Sequence, residues 1–340
     1  MWWLLQEELP YHAGLFRGGL NNVSRVLVTG GAGFIGSHLV EHLLDQGHSI
    51  LVVDDLSTGL EHQVPVHPEV ELVRSTVDQW LADEPSESFF EAYHLAAAVG
   101  VRKVVEDPFG TIINNVVETA GLLQFLAKSS TPTLLASTSE VYGVGHGRPF
   151  RETDDSVYGP TTVARWSYAH SKAVDEHLAF ALEESLPSVV IRFFNTVGPR
   201  QRGDWGMVLP RFVQAAMANT PIEVHGDGMQ NRCFADVRDV VGALPRILHT
   251  PEARGLPVNV GHDEPISILE LAELVRKVLH SESPIRIVPY NEVWGRGFQD
   301  LQERIPDLAR ARNLVSLPPS RPLAETIWDL AESIRTEDSL

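Results

Sequence analysis

A tyrosine and a lysine four residues apart are the side chains in this sequence best suited to acid–base chemistry. Tyr168 and Lys172 lie in RWSYAHSKAVDEHLAF, one turn apart on a predicted helix and therefore on one face. A tyrosine with its ordinary pKa of about 10 is a poor base near neutral pH, but an adjacent ammonium group favours the phenolate. The pair predicts a phenol whose pKa is brought toward the range in which it can act as a base. A surface helix with a solvated lysine is an equally good interpretation of this segment alone.

A second group of reactive side chains follows a predicted strand in the middle of the chain. The segment STSEVYG, residues 137–143, contains the Thr138 and Ser139 hydroxyls and the Glu140 carboxylate. These groups could form half of an active site at the end of the strand. Glu140 could instead cap a neighbouring loop, which is a common structural use of a carboxylate.

Glycines and a separate acidic residue predict a phosphate-binding turn near the start of the chain. VTGGAGFIGSHLVEHLL places Gly30, Gly33 and Gly36 between the first predicted strand and a helix. Such glycines permit a tight turn and bring backbone N–H groups and the helix N-terminus close to a pyrophosphate. Asp54 ends the second predicted strand, where it can accept hydrogen bonds from an adenosine ribose and would repel a 2′-phosphate. The pattern predicts NAD rather than NADP; a glycine-rich turn without ligand is the alternative.

Strands alternating with helices are needed to position these groups. Apolar segments predict strands at residues 25–29, 48–55, 70–74, 89–98, 131–138, 187–195 and 258–261, and helices over 34–46 and 111–128. This alternation predicts an α/β fold with a Rossmann-type, doubly wound parallel sheet. We predict an N-terminal extension, a dinucleotide-binding domain, and a smaller loop-rich substrate-binding domain that returns segments to the sheet, at residues 1–22, 23–190 and 191–335.

The composition excludes several classes of function. The 340 residues are 43% hydrophobic and 21% charged, as in globular proteins, and the formal charge of −18 argues against binding to nucleic acid or to anionic membranes. Cys233 is the only cysteine and the histidines are scattered, so we predict neither a disulfide nor a metal site. No apolar run approaches the roughly 20 residues of a membrane span, and the first residues lack a basic leader, which predicts a cytoplasmic protein.

Four motifs together resemble one enzyme family. The glycine loop, HLAAAVG at residues 94–100, the STSEVYG segment and the tyrosine–lysine helix are similar to those of extended short-chain dehydrogenases/reductases, from about residue 23 to the low 330s. The resemblance implies a Rossmann domain, a nucleotide-sugar-binding domain, and transient oxidation of a sugar C4 hydroxyl by bound NAD. It implies that Tyr168 removes the hydroxyl proton, Lys172 holds the tyrosine and the ribose, and Thr138 hydrogen-bonds the sugar O4.

The same resemblance implies the residues that bind each molecule. Besides Tyr168 and Lys172, the cofactor residues would be Gly30, Gly33, Phe34, Ile35, Gly36, Asp54, Ser57, Gly59, Leu95, Ala96, Ala97 and Asn115. The residues that bind a UDP-sugar would be Asn195, Val224, Arg232 and Arg304, with Asn195 and Arg232 on the phosphates.

Further motifs resemble the UDP-hexuronate decarboxylases. These motifs are STSEVYG, RWSYAHSK, RCFADVRD at residues 232–239 and GFQDLQERIPD at residues 297–307. A C4 ketone makes a C6 carboxylate into a β-keto acid that loses CO2, so Glu140, Ser139 and Arg304 would join the catalytic set, with Arg304 near the sugar carboxylate. Nucleotide-sugar 4,6-dehydratases carry an aspartate where this chain has Ser139, which disfavours dehydration. The leading prediction is a UDP-glucuronate decarboxylase.

One residue favours a different reaction. The decarboxylases carry an arginine where this chain has Met207, whereas several C4 epimerases have an uncharged residue there. Epimerisation of UDP-glucose or UDP-glucuronate at C4 is therefore the second prediction. A non-catalytic NAD-binding protein is a third, although such a protein need not keep Tyr168, Lys172 and Thr138 together. Apolar faces on the helices near 111–128 and 161–184 predict a homodimer, as in related enzymes.

Overall fold

The computed structural model describes residues 24–97, 106–145, 148–203, 206–293, 301–317 and 319–337. The predicted extension at 1–22 and part of HLAAAVG lie outside these residues. The strands are β1 (Arg25–Thr29), β2 (Ser49–Asp54), β3 (Val70–Arg74), β4 (Glu91–His94), β5 (Thr133–Thr138), β6 (Ser188–Phe193), β7 (Thr196–Val197), β8 (Ile222–His225), β9 (Asn231–Arg232), β10 (Ala235–Asp236), β11 (Pro257–Val260), β12 (Ile266–Ser267), β13 (Ile285–Val288) and β14 (Glu303–Arg304). The helices are α1 (Phe34–Asp45), α2 (Val77–Ala82), α3 (Pro108–Ala127), α4 (Trp166–Ala181), α5 (Val208–Met217), α6 (Val237–Leu248), α7 (Ile268–Val278), α8 (Tyr290–Val293), α9 (Ala309–Leu314) and α10 (Leu323–Glu337).

Seven of the strands form one parallel sheet. Their order is β11–β6–β5–β4–β1–β2–β3, and every neighbouring pair is parallel. The chain runs outward from β1 through β2 and β3, and then returns to β4 and continues in the opposite direction. This reversal creates a topological switch point between β1 and β4, where ligands bind beyond the carboxyl ends of the strands. The predicted α/β fold class is confirmed, and β11 is the predicted segment that returns to the sheet.

Apolar layers cover both faces of this sheet. Val26 and Val28 of β1 pack into the layer that contains α1 and α6, whereas Leu27 packs into the layer that contains α2, α3 and α4. Successive side chains of a strand point to opposite faces, so a strand covered on both sides must be apolar at nearly every position. Because these strands are buried on both faces, the polar carboxyl ends of β1, β2, β4 and β5 lie together at one end of the sheet.

A small lobe with its own core lies beside the carboxyl ends of these strands. Its core contains apolar side chains of α5, α7 and α10, together with Ile222 and Val224 of β8. Within it, β9 lies between β12 and β14, and the register pairs Arg232 of β9 with Arg304 of β14. The small lobe therefore brings a late segment of the chain to the end of the parallel sheet. The division of the chain at residues 190 and 191 remains a prediction.

Candidate active site

The glycine loop between β1 and α1 has the close backbone contacts that only glycine allows. Gly30 has a φ of 72°, and a Cβ there would lie 2.6 Å from the Ala96 backbone nitrogen at the end of β4. A Cβ at Gly36 would overlap the Gly30 carbonyl oxygen. The first turn of α1 contains no acidic side chain, so its N-terminal N–H groups meet no negative side chain from that turn. This loop is shaped to cradle a pyrophosphate at the switch point.

A cleft of about 570 Å³ opens at the switch point and continues toward the small lobe. Its volume lies in the range of small-molecule sites. It is lined by most of the predicted site residues, namely Gly30, Gly33, Phe34, Ile35, Gly36, Asp54, Ser57, Leu95, Ala96, Ala97, Asn115, Thr138, Ser139, Glu140, Tyr168, Lys172, Asn195 and Arg304. The fold thus brings the residues expected for cofactor, substrate and catalysis into one continuous space.

Three predicted site residues do not line this cleft. Gly59 lies behind the glycine loop, where a Cβ would be 2.8 Å from the Ala32 carbonyl carbon. Val224 is fully buried in the core of the small lobe. Arg232 is largely buried, although it is the register partner of Arg304, which does line the cleft. Direct roles for these three residues in binding remain predictions.

Asp54 lies at the end of β2 with capacity for a further partner. Its two carboxylate oxygens accept hydrogen bonds from the Ala32 and Leu56 backbone nitrogens, at 2.9 and 2.8 Å. Burial raises the pKa of this carboxyl group, whereas the two N–H donors lower it. Because an ionised carboxylate has about four acceptor sites, Asp54 can still accept hydrogen bonds from a ribose. The glycine cradle and this acceptor fit a dinucleotide without a 2′-phosphate.

Tyr168 lies in the cleft next to Thr138, as predicted, but its electrostatic surroundings differ from the prediction. Burial raises the pKa of the Tyr168 phenol, and the Glu140 and Asp175 carboxylates raise it further. A hydrogen bond with the Thr138 hydroxyl and the charge of Arg304 lower this pKa. The protein alone therefore keeps the phenol protonated near neutral pH, and the phenolate requires additional positive charge or a partner that removes the proton.

The charge of Lys172 is balanced by the Asp175 carboxylate, which the sequence motifs did not indicate. The Lys172 Nζ lies 2.8 Å from the Asp175 Oδ2, and both side chains are almost completely buried. Asp175 is three residues further along α4, so the helix itself sets this contact. Burial raises the pKa of the Asp175 carboxyl, and Lys172 and the nearby Thr119 of α3 lower it. The ion pair explains why Lys172 contributes less to the phenolate than an unpaired ammonium group would.

Next to this ion pair, hydrogen bonds extend from Thr119 into the sheet. The Thr119 hydroxyl lies 3.0 Å from the His94 Nε2, and the His94 Nδ1 lies 2.7 Å from the Thr29 hydroxyl. Burial, assisted by the charge of Lys172, lowers the pKa of His94 to about 3, so the imidazole is neutral. A continuous polar chain therefore joins α3 to the ends of β4 and β1. Such a network fixes the positions of its members because each unsatisfied buried group would be costly.

Glu140 lies between two arginines. The Arg304 guanidinium forms an ion pair with the Glu140 carboxylate, and the Arg165 Nη2 lies 3.9 Å from its other oxygen. All three side chains are mostly buried and line the cleft. The backbone N–H of Glu140 also donates to the Thr138 hydroxyl, at 3.2 Å. Glu140 thus lines the cleft together with Tyr168.

The rest of STSEVYG and α4 supports this arrangement. Ser137 donates to Glu176 at 2.5 Å, and Glu176 forms a two-point ion pair with Arg192 of β6. Tyr142 is fully buried and donates to the Asn259 side chain of β11 at 2.7 Å. Its phenol is therefore a structural group, unlike that of Tyr168.

The sequence prediction missed three charged residues of this region. Arg165 precedes Tyr168 by three residues, and Asp175 follows Lys172 by three, so both lie one helical turn from a residue that was selected. That spacing could have indicated both residues from the sequence. Glu118 of α3 also lines the cleft, on the same helix as the predicted Asn115.

The described residues give no sign of a metal centre or of a membrane span. Within the described ranges, no three histidine, cysteine, aspartate or glutamate side chains are grouped closely enough to hold a metal ion. Among the helices of the same ranges, none has the length and apolar character needed to cross a bilayer.

A glycine cradle at the switch point of a Rossmann sheet and a Tyr–Lys helix beside it define a dinucleotide-dependent dehydrogenase/reductase scaffold. The model of the NAD dependent epimerase/dehydratase family matches residues 26–261, and the chain belongs to this family. Its cofactor is NAD. The chain is 37% identical to the UDP-N-acetyl-alpha-D-glucosaminuronate decarboxylase of Bacillus cytotoxicus, over 87% of this chain and 93% of that protein.

Two further similar proteins are named for UDP-glucuronic acid. The UDP-glucuronic acid decarboxylase 1 of Danio rerio is 34% identical over 88% of this chain and 70% of its own length. The solved UDP-glucuronic acid 4-epimerase of Bacillus cereus, in complex with UDP-glucuronic acid and NAD, is 26% identical. It matches with a TM-score of 0.79 over 92% of this chain and 99% of its own. The fold and cofactor predictions are confirmed by these relatives.

Proposed function

We propose that the protein is an NAD-dependent UDP-hexuronate decarboxylase, with UDP-glucuronate as its first candidate substrate. The observation that carries this proposal is the ion pair between Glu140 and Arg304 in the same cleft as Tyr168. Oxidation and reduction at C4 require a phenol, a lysine and a hydroxyl. An additional carboxylate and guanidinium beside them are suited to chemistry at C5 and C6.

Each residue then has a defined task. When bound, NAD supplies the acceptor and later the donor of a hydride at C4. Tyr168, as the phenolate that the positive charge of bound NAD+ would favour, takes the proton of the C4 hydroxyl, with Thr138 as hydrogen-bond partner and Lys172 holding the phenol and ribose. The resulting C4 ketone accepts the electron pair of the C5–C6 bond as CO2 leaves. Arg304, held by Glu140, orients the uronate carboxylate, because a guanidinium binds a carboxylate through two parallel hydrogen bonds. After CO2 has left, C5 takes a proton from water, a step that the charge of Arg304 assists. Tyr168 returns its proton to O4 as the hydride returns to C4.

The uronate class of substrate is supported by the relatives. The bacterial relative is named for UDP-N-acetylglucosaminuronate and the fish relative for UDP-glucuronic acid, and both are named decarboxylases. A carboxylate at C6 is common to both substrates. Arg165 and Arg304 place two positive groups in the cleft where such a carboxylate could bind.

Epimerisation at C4 is the second candidate function. Met207 lines the cleft and provides no charge for a uronate carboxylate. The Bacillus cereus neighbour is an epimerase of UDP-glucuronic acid. The same Tyr168, Thr138 and Lys172 would serve this reaction, because only the face on which C4 is reduced would differ.

Product analysis distinguishes the two functions. The full chain is incubated with NAD and UDP-glucuronate, and in parallel with UDP-N-acetylglucosaminuronate, and the products are read by mass spectrometry and NMR. A product lighter by one CO2 is expected from one of these substrates. An unchanged mass with an altered C4 proton coupling would instead establish epimerisation. Unchanged UDP-glucuronate and UDP-N-acetylglucosaminuronate would contradict both proposals for uronates.

Glu140→Gln is expected to separate oxidation from loss of CO2. Glutamine preserves the size of the side chain but removes the charge that pairs with Arg304. We expect decarboxylation to fall roughly a hundredfold, within the usual contribution of one acid–base group, while C4 oxidation changes much less. Single-turnover absorbance of NADH measures oxidation, and release of CO2 measures decarboxylation. Glu282→Gln, an exposed carboxylate of the small lobe, is the control. Equal losses in both steps would assign Glu140 a purely architectural role.

We also propose a homodimer that pairs through α3 and α4. Phe109, Ile113 and Val117 follow one another at intervals of four residues on α3 and are exposed, Phe109 by 76%. Val174 on the adjoining α4 extends this apolar face. Sedimentation equilibrium should give twice the chain mass of 37.6 kDa, and Phe109→Asp with Ile113→Asp should give the single mass. A monomeric parent protein would contradict this arrangement.

A cytoplasmic location of the protein is also part of the proposal.

A further inference from the structure

Three buried polar side chains lie next to one another across the carboxyl end of the parallel sheet. Ser137 of β5 pairs in register with Arg192 of β6, which in turn pairs with Asn259 of β11. All three are buried, Asn259 completely. Because a sheet covered on both faces is apolar at nearly every position, buried polar groups there require hydrogen-bond partners. Ser137 and Arg192 bind Glu176 of α4, whereas the partners of Asn259 lie in other segments.

The Asn259 amide joins three segments that are distant in the chain. Its Oδ1 accepts a hydrogen bond from the Tyr142 hydroxyl at 2.7 Å, and its Nδ2 donates to the Phe150 and Asp307 carbonyl oxygens at 2.9 and 3.2 Å. Tyr142 belongs to STSEVYG, and Asp307 follows Arg304 of β14 by three residues. One buried amide thus lies between the two segments that supply the charged pair of the cleft.

A short backbone bridge lies beside this amide. The Phe150 N–H donates to the Ile305 carbonyl oxygen, and the Asp307 N–H donates to the Phe150 carbonyl oxygen, both at 2.8 Å. The Phe150 ring stacks on the Tyr142 ring, with 4.7 Å between the centroids and 10° between the planes. The residues that follow Arg304 are therefore bound to the end of the parallel sheet.

This contact connects the two lobes at the charged pair. Arg304 of β14 pairs with β9 of the small lobe, whereas Glu140 directly follows β5 of the parallel sheet. Pairing with β9 by itself places Arg304 relative to the small lobe alone. A guanidinium binds a carboxylate strongly only when its planar fork is aligned with the carboxylate oxygens.

We infer that Asn259 is a positioning residue that holds Arg304 against Glu140, because its amide fixes the segment after Arg304 to the parallel sheet. The consequence for decarboxylation rests on the proposed function. The consequence for the backbone around Arg304 does not, so the two are measured separately.

Hydrogen exchange of the full chain, measured by mass spectrometry, tests the position of the segment in Asn259→Asp. This change keeps the size of the side chain and the acceptor for Tyr142. A carboxyl group has one donor when protonated and none when ionised, so at least one of the Phe150 and Asp307 carbonyl oxygens loses its amide donor. We expect residues 303–307 to exchange roughly tenfold faster than in the parent protein, and α4 to exchange within about twofold of it.

Tyr142→Phe is the matched control for this measurement. It breaks the hydrogen bond at the other end of the same amide, but it keeps the ring stacked on Phe150 and both donors of Asn259. Exchange of residues 303–307 should stay within about threefold of the parent protein. If Asn259→Asp does not fold, Asn259→Ser takes its place. Unchanged exchange in the Asn259 variant, or an equal acceleration in Tyr142→Phe, would overturn the inference.

Kinetics test whether Asn259 acts through Arg304. Decarboxylation of the uronate by Asn259→Asp should fall by roughly tenfold to a hundredfold, while single-turnover oxidation at C4 changes by less than about threefold. In an Arg304→Lys background the same substitution should cost less than about threefold, because the guanidinium that Asn259 positions is already absent. Equal losses in both backgrounds would show that Asn259 does not act through Arg304. A parent protein that converts no uronate would contradict the proposed function, and hydrogen exchange would still decide the role of Asn259.

Discussion

Tyr168→Phe is expected to lower turnover of the nucleotide sugar by about 10²- to 10⁴-fold, the range contributed by one positioned acid–base group. The phenylalanine ring retains the packing of Tyr168 but cannot take the C4 hydroxyl proton. The Thr138 hydroxyl loses the phenol in the same change and keeps the Glu140 backbone N–H as a partner. Because Tyr168 acts at the start of the reaction, both oxidation of C4 and every later step should fall together.

The binding of NAD separates this result from a structural defect. Calorimetric titration should give a dissociation constant for NAD+ within about threefold of the parent protein, since the glycine loop and Asp54 are untouched. Thr138→Val provides a second comparison, because it removes the hydroxyl and keeps the phenol. A Tyr168→Phe variant with the turnover of the parent would remove Tyr168 from the mechanism.

Asp175→Asn is expected to destabilise the folded protein by about 3–5 kcal/mol, the usual cost of removing one partner from a buried ion pair. The Lys172 ammonium would remain almost completely buried without its counter-charge. The midpoint of urea unfolding, followed by circular dichroism, measures the change. An unaltered midpoint would show that Asp175 does not support Lys172.

The double variant Asp175→Asn with Lys172→Met tests the pair itself. Because neither residue then carries a buried charge, the double variant should be more stable than Asp175→Asn alone.

The activity of the Asp175→Asn variant provides an independent measurement. The Asp175 carboxylate raises the pKa of Tyr168, so its removal should move the acidic limb of the pH–rate profile for turnover to lower pH. A profile unchanged in position would restrict Asp175 to a structural role.

The fold was predictable because its strands depend on local patterns. Apolar segments ending in glycine or in polar residues predicted β1 to β6, and the strands observed agree with them to within four residues at either end. The return of β11 to the sheet was also predicted, since VNVG is apolar and follows a loop-rich segment. The pairing of β9 with β14 was not predicted, because strands of two residues carry no periodicity and their register depends on contacts distant in the chain.

The candidate site was predictable where chemistry required a fixed spacing. The distance from Tyr168 to Lys172 follows from the helix, and the position of Asp54 follows from the end of a strand. The ion pair of Glu140 with Arg304 joins residues 164 positions apart, so no local pattern could specify it. The direction in which the Tyr168 pKa moves was likewise hidden, since it depends on burial and on Asp175, whose charge offsets that of Lys172.

The two arginines around Glu140 come from very different parts of the chain. Arg165 immediately precedes the helix that contains Tyr168, whereas Arg304 lies on the short strand β14 beside the small lobe. In the proposed function, one of the two guanidinium groups for the uronate is thus encoded beside the redox residues, and the other in a separate, late stretch of the polypeptide. Exchange of the late stretch alone between family members could redirect the outcome of the reaction while the hydride chemistry is inherited unchanged.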